Sequence, residues 1–198
     1  MGFQKIDFVW HLEKGDDWLV QVETKSSKFG DEGLYHLEVD IGFFSRVLDD
    51  LMGWLRRAGF DEHSRNSMPV GVGRCHFEAS LFDFNENAEW IGVPDNLFLP
   101  KDETVEPAIA EIAEKLEIVV PLSFDRYASY ESLINCKRQR IGRSSQSKQA
   151  SMYAAAACIK LGHINEAREL LEDAVRPGST QFMKDVGARL SKIVEMSE

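Results

Sequence analysis

The chain has 198 residues, of which 43% are apolar and 28% are charged, and its formal net charge is −10. These proportions are ordinary for a globular protein, and a chain of this length buries about 70% of its unfolded surface without disulfides or metals. It contains no long apolar run of the kind that spans a membrane, and residues 1–7 have neither an apolar signal core nor a small-residue cleavage site. We therefore expect a cytoplasmic protein without a membrane segment.

Alternating apolar and polar residues predict an antiparallel sheet of about four strands in the first half of the chain. A glycine beside aspartates at residues 13–17 fits the loop of a hairpin between the first two strands. The four strands are predicted over Phe3–Leu12, Trp18–Thr24, Tyr35–Ile41 and Arg74–Phe84.

The third strand also predicts a polar sheet face, because His36, Glu38 and Asp40 alternate with apolar residues. Alternate residues of a strand lie about 7 Å apart on one face. With a residue from a neighbouring strand, these three side chains could hold a metal ion or a small ligand. One strand supplying three ligands is poor geometry for a single ion, so the other interpretation is a polar face that is either solvated or covered by polar contacts.

Helical periodicity dominates the rest of the chain. In the helix that begins at Thr104, with Pro107 in its first turn, the glutamates at 103, 106, 111, 114 and 117 are predicted to face water. Its predicted buried residues are Val105, Ile109, Ile112 and Leu116. The other helices are predicted over Ser45–Ala58, Ser129–Ile141 and Thr180–Met196, with a helical hairpin over Gln149–Val175.

The hairpin is the most distinctive local pattern. Its alanines allow close helix approach, and Gly162 can end the first helix in a left-handed conformation. The pattern across Ala157–Leu171 resembles one tetratricopeptide-type unit, whereas repeat arrays need about three units to bury a continuous core. We expect the alanine face to be buried and the hairpin to brace the domain. The residues predicted on the inner face of its second helix are Ala167, Leu170, Leu171 and Ala174.

Strands followed by helices predict the α+β class. We expect an α+β domain over residues 1–141 and a helical C-terminal extension over residues 149–198 that packs on it.

Charge is distributed unevenly along the chain. Residues 61–130 hold 14 acidic and 5 basic residues, a net charge of −9, whereas residues 131–150 hold 1 and 5, a net charge of +4. An acidic surface repels nucleic acid and speeds encounter with basic proteins. The pattern predicts a basic protein partner and no nucleic acid, although such charges also serve solubility alone.

The basic cluster Lys137–Lys148 could hold a phosphate-bearing ligand or pair with the acidic helix Glu106–Glu117. It lacks interleaved aromatic residues, which disfavours nucleic acid, and an exposed helix end and linker is the third interpretation.

The residues that often carry catalysis form no recognisable set. Nucleophile-elbow, zinc-protease and phosphate-loop motifs do not occur in the sequence. Cys75 and His76 are adjacent on a predicted strand, so they point to opposite faces. The chain has three cysteines: Cys75, Cys136 and Cys158. Because their number is odd and their spacing is not that of a metal site, we expect buried free thiols. We also expect no metal and no cofactor.

Glycine, aromatic and proline positions recur through the first two thirds of the chain, at Gly2-Phe3-Gln4-Lys5, Trp10, Lys25–Phe29, Leu37–Gly42, Arg74–Phe84, Glu89-Trp90 and Pro121-Leu122. Over roughly residues 2–141 the chain resembles an uncharacterised bacterial family of small α+β proteins known only as a domain of unknown function. The resemblance implies no activity and no catalytic residues. Members of that family usually carry an amphipathic helix before the Gly-Phe pair. Either the true start lies upstream of Met1, or another surface replaces that helix. The second case would expose part of the sheet and favour a homo-oligomer.

Our leading interpretation is a non-catalytic acidic binding protein, in concrete form a bacterial immunity-type protein that covers a basic toxin. Its contacts should weaken with salt. The alternative is a metal- or small-ligand-binding domain, or an enzyme, using the polar face around His36, Glu38 and Asp40. The predicted binding residues of the leading interpretation are Asp83, Glu86, Glu89, Asp95, Asp102, Glu103 and Glu106.

Overall fold

A computed structural model describes residues 4–6, 9–14, 17–27, 34–57, 75–92, 97–100, 106–179 and 181–196. Within these residues an antiparallel sheet is followed by a helical C-terminal part, which confirms the predicted α+β class. The elements are β1 (Gln4–Ile6), β2 (Val9–Lys14), β3 (Trp18–Ser27), β4 (Leu34–Ser45), α1 (Arg46–Arg57), β5 (Phe77–Ser80), β6 (Leu97–Pro100), α2 (Glu106–Tyr127), α3 (Tyr130–Gln139), α4 (Lys148–Leu161), α5 (Ile164–Val175) and α6 (Gln181–Glu195).

The sheet is a meander to which two short strands are added at one edge. Strands β1 to β4 pair in chain order, and the longest ladder joins β3 to β4, from Trp18 opposite Ser45 to Ser27 opposite His36. The edge of β4 that faces away from β3 pairs with β5 through residues 40–43 and with β6 through residues 34–37. The sequence did not predict β6, because a strand of four residues, Leu-Phe-Leu-Pro, is too short to show alternation.

Strand β5 is shorter than the sequence predicts. It ends at Ser80 and a 3₁₀ turn follows over Leu81–Asp83, so the predicted strand Arg74–Phe84 is wrong at both ends among the described residues. The cause is a capping box: the Asp83 carboxylate accepts the Ser80 N–H at 2.8 Å, and the Ser80 hydroxyl accepts the Phe82 N–H. This reciprocal cap turns the chain out of the sheet.

The turn between β2 and β3 is joined to two helices by Asp17. One carboxylate oxygen of Asp17 accepts hydrogen bonds from the Ser45 hydroxyl (2.7 Å) and the Val47 N–H (2.9 Å) at the start of α1. The other accepts the Tyr130 hydroxyl of α3 at 2.7 Å. Burial raises the pKa of Asp17, but these hydrogen bonds outweigh it and the net pKa is lowered. Burial and the bond to Asp17 raise the pKa of Tyr130 to about 12.

A continuous cluster of buried side chains joins one face of the sheet to the helices. Phe43 stacks on Phe77 with ring centroids 5.3 Å apart, and Phe124 of α2 meets Phe43 edge-on at 5.7 Å. Helix α4 contributes to the same cluster, so the helical C-terminal part shares the core of the sheet. The predicted boundary between residues 141 and 149 stays a prediction.

Helix α4 is the central helix of the C-terminal part, and residues 150–158 are all buried. It contacts α1, α3, α5 and α6, and its run of alanines permits these close approaches. Gly162 ends it in the left-handed conformation (φ 78°), as predicted. The predicted hairpin is therefore confirmed, with Ala167, Leu171 and Ala174 buried and Leu170 partly buried.

Helix α2 is buried along its second half rather than throughout. Ile112 is buried and Leu116 partly buried, as predicted, but Ile109 is 56% exposed and that prediction is wrong. The first turns extend past the core, and the helix continues through the exposed Pro121. Its buried side chains after Leu116 are Val119, Val120, Ser123, Phe124 and Tyr127. Thr104 and Val105 lie outside the described residues. Across the described part of the chain, no helix combines the length and apolarity needed to cross a bilayer.

Candidate binding surfaces

The predicted acidic contact residues do not all lie at the surface. Glu86 and Glu89 are exposed in the turn that follows β5, and Glu106 is exposed in the first turn of α2. Asp83, by contrast, is only 2% exposed. Three further predicted contacts lie outside the described residues: Asp95, Asp102 and Glu103.

Asp83 serves the fold and is not available to a partner. Besides capping Ser80, its carboxylate lies 3.6 Å from Nε of Arg143. Burial raises the pKa of this carboxyl, although the Ser80 N–H and the Arg143 guanidinium oppose the shift. The Ser-x-x-Asp spacing of Ser80 and Asp83 is a capping-box pattern, so the sequence did carry a signal of this structural role.

The turn that carries Glu86 and Glu89 is compact and docked on α2. The Asn85 side-chain oxygen accepts the N–H groups of Asn87 and Glu89. The Trp90 N–H donates to the Tyr127 hydroxyl at 3.3 Å, and Glu89 lies 3.9 Å from Arg126. These contacts hold the exposed carboxylates of the turn beside the C-terminal half of α2.

The outward side of α2 combines carboxylates with exposed aliphatic side chains. Ile118 is 43% exposed and Leu122 45% exposed, and their spacing of four residues makes them neighbours on the helix. Lys115, the one lysine of α2, lies over the Phe82 ring at 5.0 Å. The α2 acidic face, as we name it, consists of Glu106, Glu111, Glu114, Glu117, Ile118 and Leu122, all exposed.

The polar sheet face around His36, Glu38 and Asp40 is not a solvated surface at Asp40, which is 1% exposed. Arg143, from the loop between α3 and α4, places Nη1 3.1 Å from the Asp40 carboxylate while its Nε faces Asp83. The Arg143 N–H also donates to the Glu78 carbonyl at 2.7 Å. At Asp40 the polar face is therefore covered by polar contacts rather than solvated, because the side chain of Arg143, 103 residues away in sequence, pairs with the Asp40 carboxylate.

Among the described side chains around this sheet there is neither a metal-ligand cluster nor a nucleophile–base pair. The side chain of His36 lies outside the described residues, and within the described ones no group of three or more His, Cys, Asp or Glu could hold a metal. Cys75 Sγ donates to the Gln21 side-chain oxygen at 3.3 Å, whereas His76 Nδ1 accepts the Ser45 N–H at 3.0 Å. Cys75 and His76, which precede β5, thus have different hydrogen-bond partners.

All three cysteines are buried free thiols, as predicted. Burial raises the pKa of Cys136 and of Cys158 to about 12, and that of Cys75 well above its ordinary value. The thiolate is the nucleophilic form of cysteine, so these side chains are unreactive near neutral pH.

The basic cluster Lys137–Lys148 pairs with α5 and the sheet among the described residues, not with the acidic helix α2. Lys137 Nζ lies 3.3 Å from the Asp173 carboxylate, and Arg138 pairs with Glu166. Lys148 Nζ donates to the Pro177 carbonyl at 3.0 Å. Of the three interpretations of this segment, the pairing with Glu106–Glu117 is wrong for the described residues, because the loop between α3 and α4 folds back toward the end of α5.

This folding creates a cleft of about 410 Å³ between the end of α3, the following loop and α5. Four cationic side chains and one carboxylate line the cleft. The lining therefore has a formal charge of +3, whereas the whole chain has a net charge of −10. We name it the basic cleft. Its lining residues are Lys137, Arg138, Arg140, Ser145, Gln146, Leu170, Asp173 and Arg176. The sequence showed the basic cluster but not Arg176, which the fold brings from the end of α5.

Neither a family model, a curated protein nor a solved structure matches this chain. The resemblance of residues 2–141 to an uncharacterised bacterial family therefore stays a prediction. The fold and its surfaces define an α+β protein with an acidic helix on its outside and a separate basic cleft. Because fold alone does not determine function, the two surfaces carry the functional argument.

Proposed function

We propose that this protein is a non-catalytic binding protein of the bacterial cytoplasm, whose α2 acidic face docks a basic protein partner. In its specific form the proposal is an immunity-type protein that covers a basic toxin. The observation that carries it is the exposure of Ile118 and Leu122 among the outward carboxylates of a helix anchored in the core.

The anchoring of α2 supports a preformed docking surface. Its second half is fixed by buried side chains such as Val120 and Phe124, and the turn of Glu86 and Glu89 is held against its end. A helix fixed in this way loses little conformational freedom when it binds, which lowers the entropic cost of association.

The composition of the α2 acidic face supports a basic partner. Glu111, Glu114 and Glu117 are exposed without a lysine or arginine ion pair among the described residues. Such carboxylates accelerate encounter with a cationic surface, while the two aliphatic side chains supply area to bury. Each is about half exposed already, so burying the remainder contributes about 1 kcal/mol per side chain.

The test compares two matched triple variants. Glu111→Lys, Glu114→Lys and Glu117→Lys together reverse the α2 acidic face. Glu169→Lys, Glu172→Lys and Glu195→Lys make the same change in net charge at exposed positions of α5 and α6. Each tagged protein is used to capture partners from a lysate of its own host at about 50 mM and about 500 mM salt.

We expect the wild type and the α5/α6 variant to retain the same basic protein at low salt and to lose it at high salt, while the α2 variant retains none. Equal retention by all three proteins, or no basic protein retained by the wild type, would contradict the proposal. The immunity form is tested by expressing the captured protein alone and with the wild type: growth inhibition that co-expression relieves supports it, and a harmless partner refutes that form alone.

A further inference from the structure

We propose that the basic cleft binds a small phosphorylated molecule, at a site separate from the α2 acidic face. The cleft concentrates Lys137, Arg138, Arg140 and Arg176 around the Asp173 carboxylate. Arg138 also pairs with Glu166, so two carboxylates compensate four cations and a net charge of +2 remains. Arginine side chains recognise phosphoryl oxygens through paired hydrogen bonds, and a lysine adds a further cationic donor.

Most of these cations are held in place by ion pairs. Asp173 faces Lys137 at 3.3 Å and Arg176 at 2.9 Å, and it also accepts the Ser151 hydroxyl. Its own negative charge is therefore compensated on two sides, which lessens its repulsion of an anion. Hydrogen bonds from Ser151 and Lys137 lower the pKa of Asp173 despite its partial burial, so this compensation persists in mild acid.

Arg140 is the cation that the fold leaves available. It lines the cleft, is exposed, and makes no ion pair with any part of the chain that the structure describes. Its backbone adopts the left-handed conformation (φ 58°) at the end of α3, where its N–H donates to the Cys136 carbonyl. Glycine would adopt this conformation at lower cost, so an arginine here is better explained by its side chain than by the backbone.

The loop that forms one wall of the cleft is anchored to the sheet. The loop from residue 140 to 147 is fixed to the sheet by Arg143, and a Cβ at Gly142 would lie 2.8 Å from the Phe77 ring. Ser145 is buried and donates to the Gly142 carbonyl at 2.8 Å. A loop that is already fixed in this way loses little backbone freedom when the cleft binds an anion.

The size and lining of the cleft favour a small molecule over nucleic acid. A volume of about 410 Å³ is that of a small-ligand site, and Leu170 and Gln146 offer an apolar wall and an amide to the rest of the ligand. The net charge of −10 would repel a polyanion that extended beyond the cleft. A compact molecule with one or two phosphoryl groups fits both constraints.

The test is calorimetric titration of the full chain with pyrophosphate, ADP, adenosine and a single-stranded oligonucleotide. The variants are Arg140→Gly, which suits the left-handed backbone, Arg176→Ala, and Lys160→Ala as a control that removes an exposed cation outside the cleft. We expect ADP and pyrophosphate to bind, with affinity about tenfold or more weaker in Arg140→Gly and unchanged in Lys160→Ala.

Several results would overturn the proposal. They are no heat of binding for either phosphate compound at about 1 mM, equal affinity for adenosine and ADP, or tighter binding of the oligonucleotide than of ADP. Unchanged affinity in Arg140→Gly would also do so. If Arg140→Gly fails to fold by circular dichroism, Arg176→Ala decides the matter by the same criterion.

Discussion

Replacement of Arg143 by methionine tests the two ion pairs that connect the loop of the basic cleft to the sheet. The guanidinium faces Asp40 at 3.1 Å and Asp83 at 3.6 Å, and these carboxylates are 1% and 2% exposed. Arg143→Met keeps the length of the side chain but removes the cation between two buried negative charges. Removing one partner of a buried ion pair costs about 3–5 kcal/mol.

Because the Arg143 side chain is 32% exposed, the lower end of that range applies, about 3 kcal/mol. With a urea m-value of about 2 kcal/mol/M, this loss lowers the unfolding midpoint by about 1.5 M. The matched control is Arg126→Met, whose ion pair with Glu89 is exposed and spans 3.9 Å. We expect it to cost about 1 kcal/mol or less.

The pH dependence of the stability cost of Arg143→Met gives an independent measure of the same ion pairs. Burial raises the pKa of Asp83, and Arg143 opposes that shift, so the variant should raise the pKa further. A carboxyl with a raised pKa in the folded state contributes stability at low pH that is lost as the pH rises through that pKa. The cost of Arg143→Met should therefore be largest near pH 7 and shrink toward pH 4.

Adding Asp40→Asn and Asp83→Asn to the Arg143→Met variant should recover part of the stability at pH 7, because the two buried negative charges that Arg143 would have neutralised are then removed. Equilibrium unfolding in urea, followed by tryptophan fluorescence at pH 7 and pH 4, measures all of these effects. A cost below 1 kcal/mol, or a cost that is the same at both pH values, would show that Arg143 does not neutralise this carboxylate pair.

Three further outcomes follow from contacts elsewhere. Asp17→Ala should cost about 3 kcal/mol at pH 7, since three hydrogen bonds to a carboxylate are lost. The pKa of Asp17 is lowered in the folded state, so the cost in urea unfolding should begin to fall below about pH 4 and shrink further as the pH passes through the lowered pKa. Asp50→Ala, which removes an exposed carboxylate of α1, is the control and should change stability at pH 7 by about 0.5 kcal/mol or less. Gly142→Ala should cost roughly 2–3 kcal/mol in thermal or urea unfolding, because its φ is +86° and the new Cβ would lie 2.8 Å from Phe77, and a loss below 0.5 kcal/mol would show that the loop can shift. Ile118→Asp should change stability by about 0.5 kcal/mol or less but abolish partner capture, and full capture by a folded variant would exclude α2 as the docking surface.

Local patterns predicted most of the fold. Alternation predicted β3, β4 and β5, and helical periodicity with Gly162 predicted the hairpin, because these signals depend on neighbours in sequence. The single strand predicted over Phe3–Leu12 is wrong, because this segment forms two antiparallel strands, β1 and β2, with Gln4 opposite His11. The exposure of Ile109 was not predictable in this way. Ile109 lies on the apolar stripe of α2, but residues of this stripe are buried only where the helix contacts the core.

The two surfaces were predictable to different degrees. The outward carboxylates of α2 follow from periodicity alone. The burial of Asp40 and the basic cleft depend on Arg143 and Arg176, whose partners are set by how the loop and α5 pack. Such long-range pairings leave no periodic signal in a single sequence. The capping box of Ser80 and Asp83 is the exception, since its spacing of three residues is a local signal.

The separation of the two surfaces follows from where the basic segment finds its partners. A strongly acidic stretch followed by a basic one could have folded so that the two charges neutralised each other. Here Lys137 and Arg138 pair with α5, while Arg143 is held in the sheet by Asp40 and Asp83. The carboxylates of α2 therefore keep their charge toward solvent, and the surplus cations gather around Asp173 instead. An acidic face for a basic protein and a basic cleft for a small anion can then coexist on one chain, because neither surface neutralises the other.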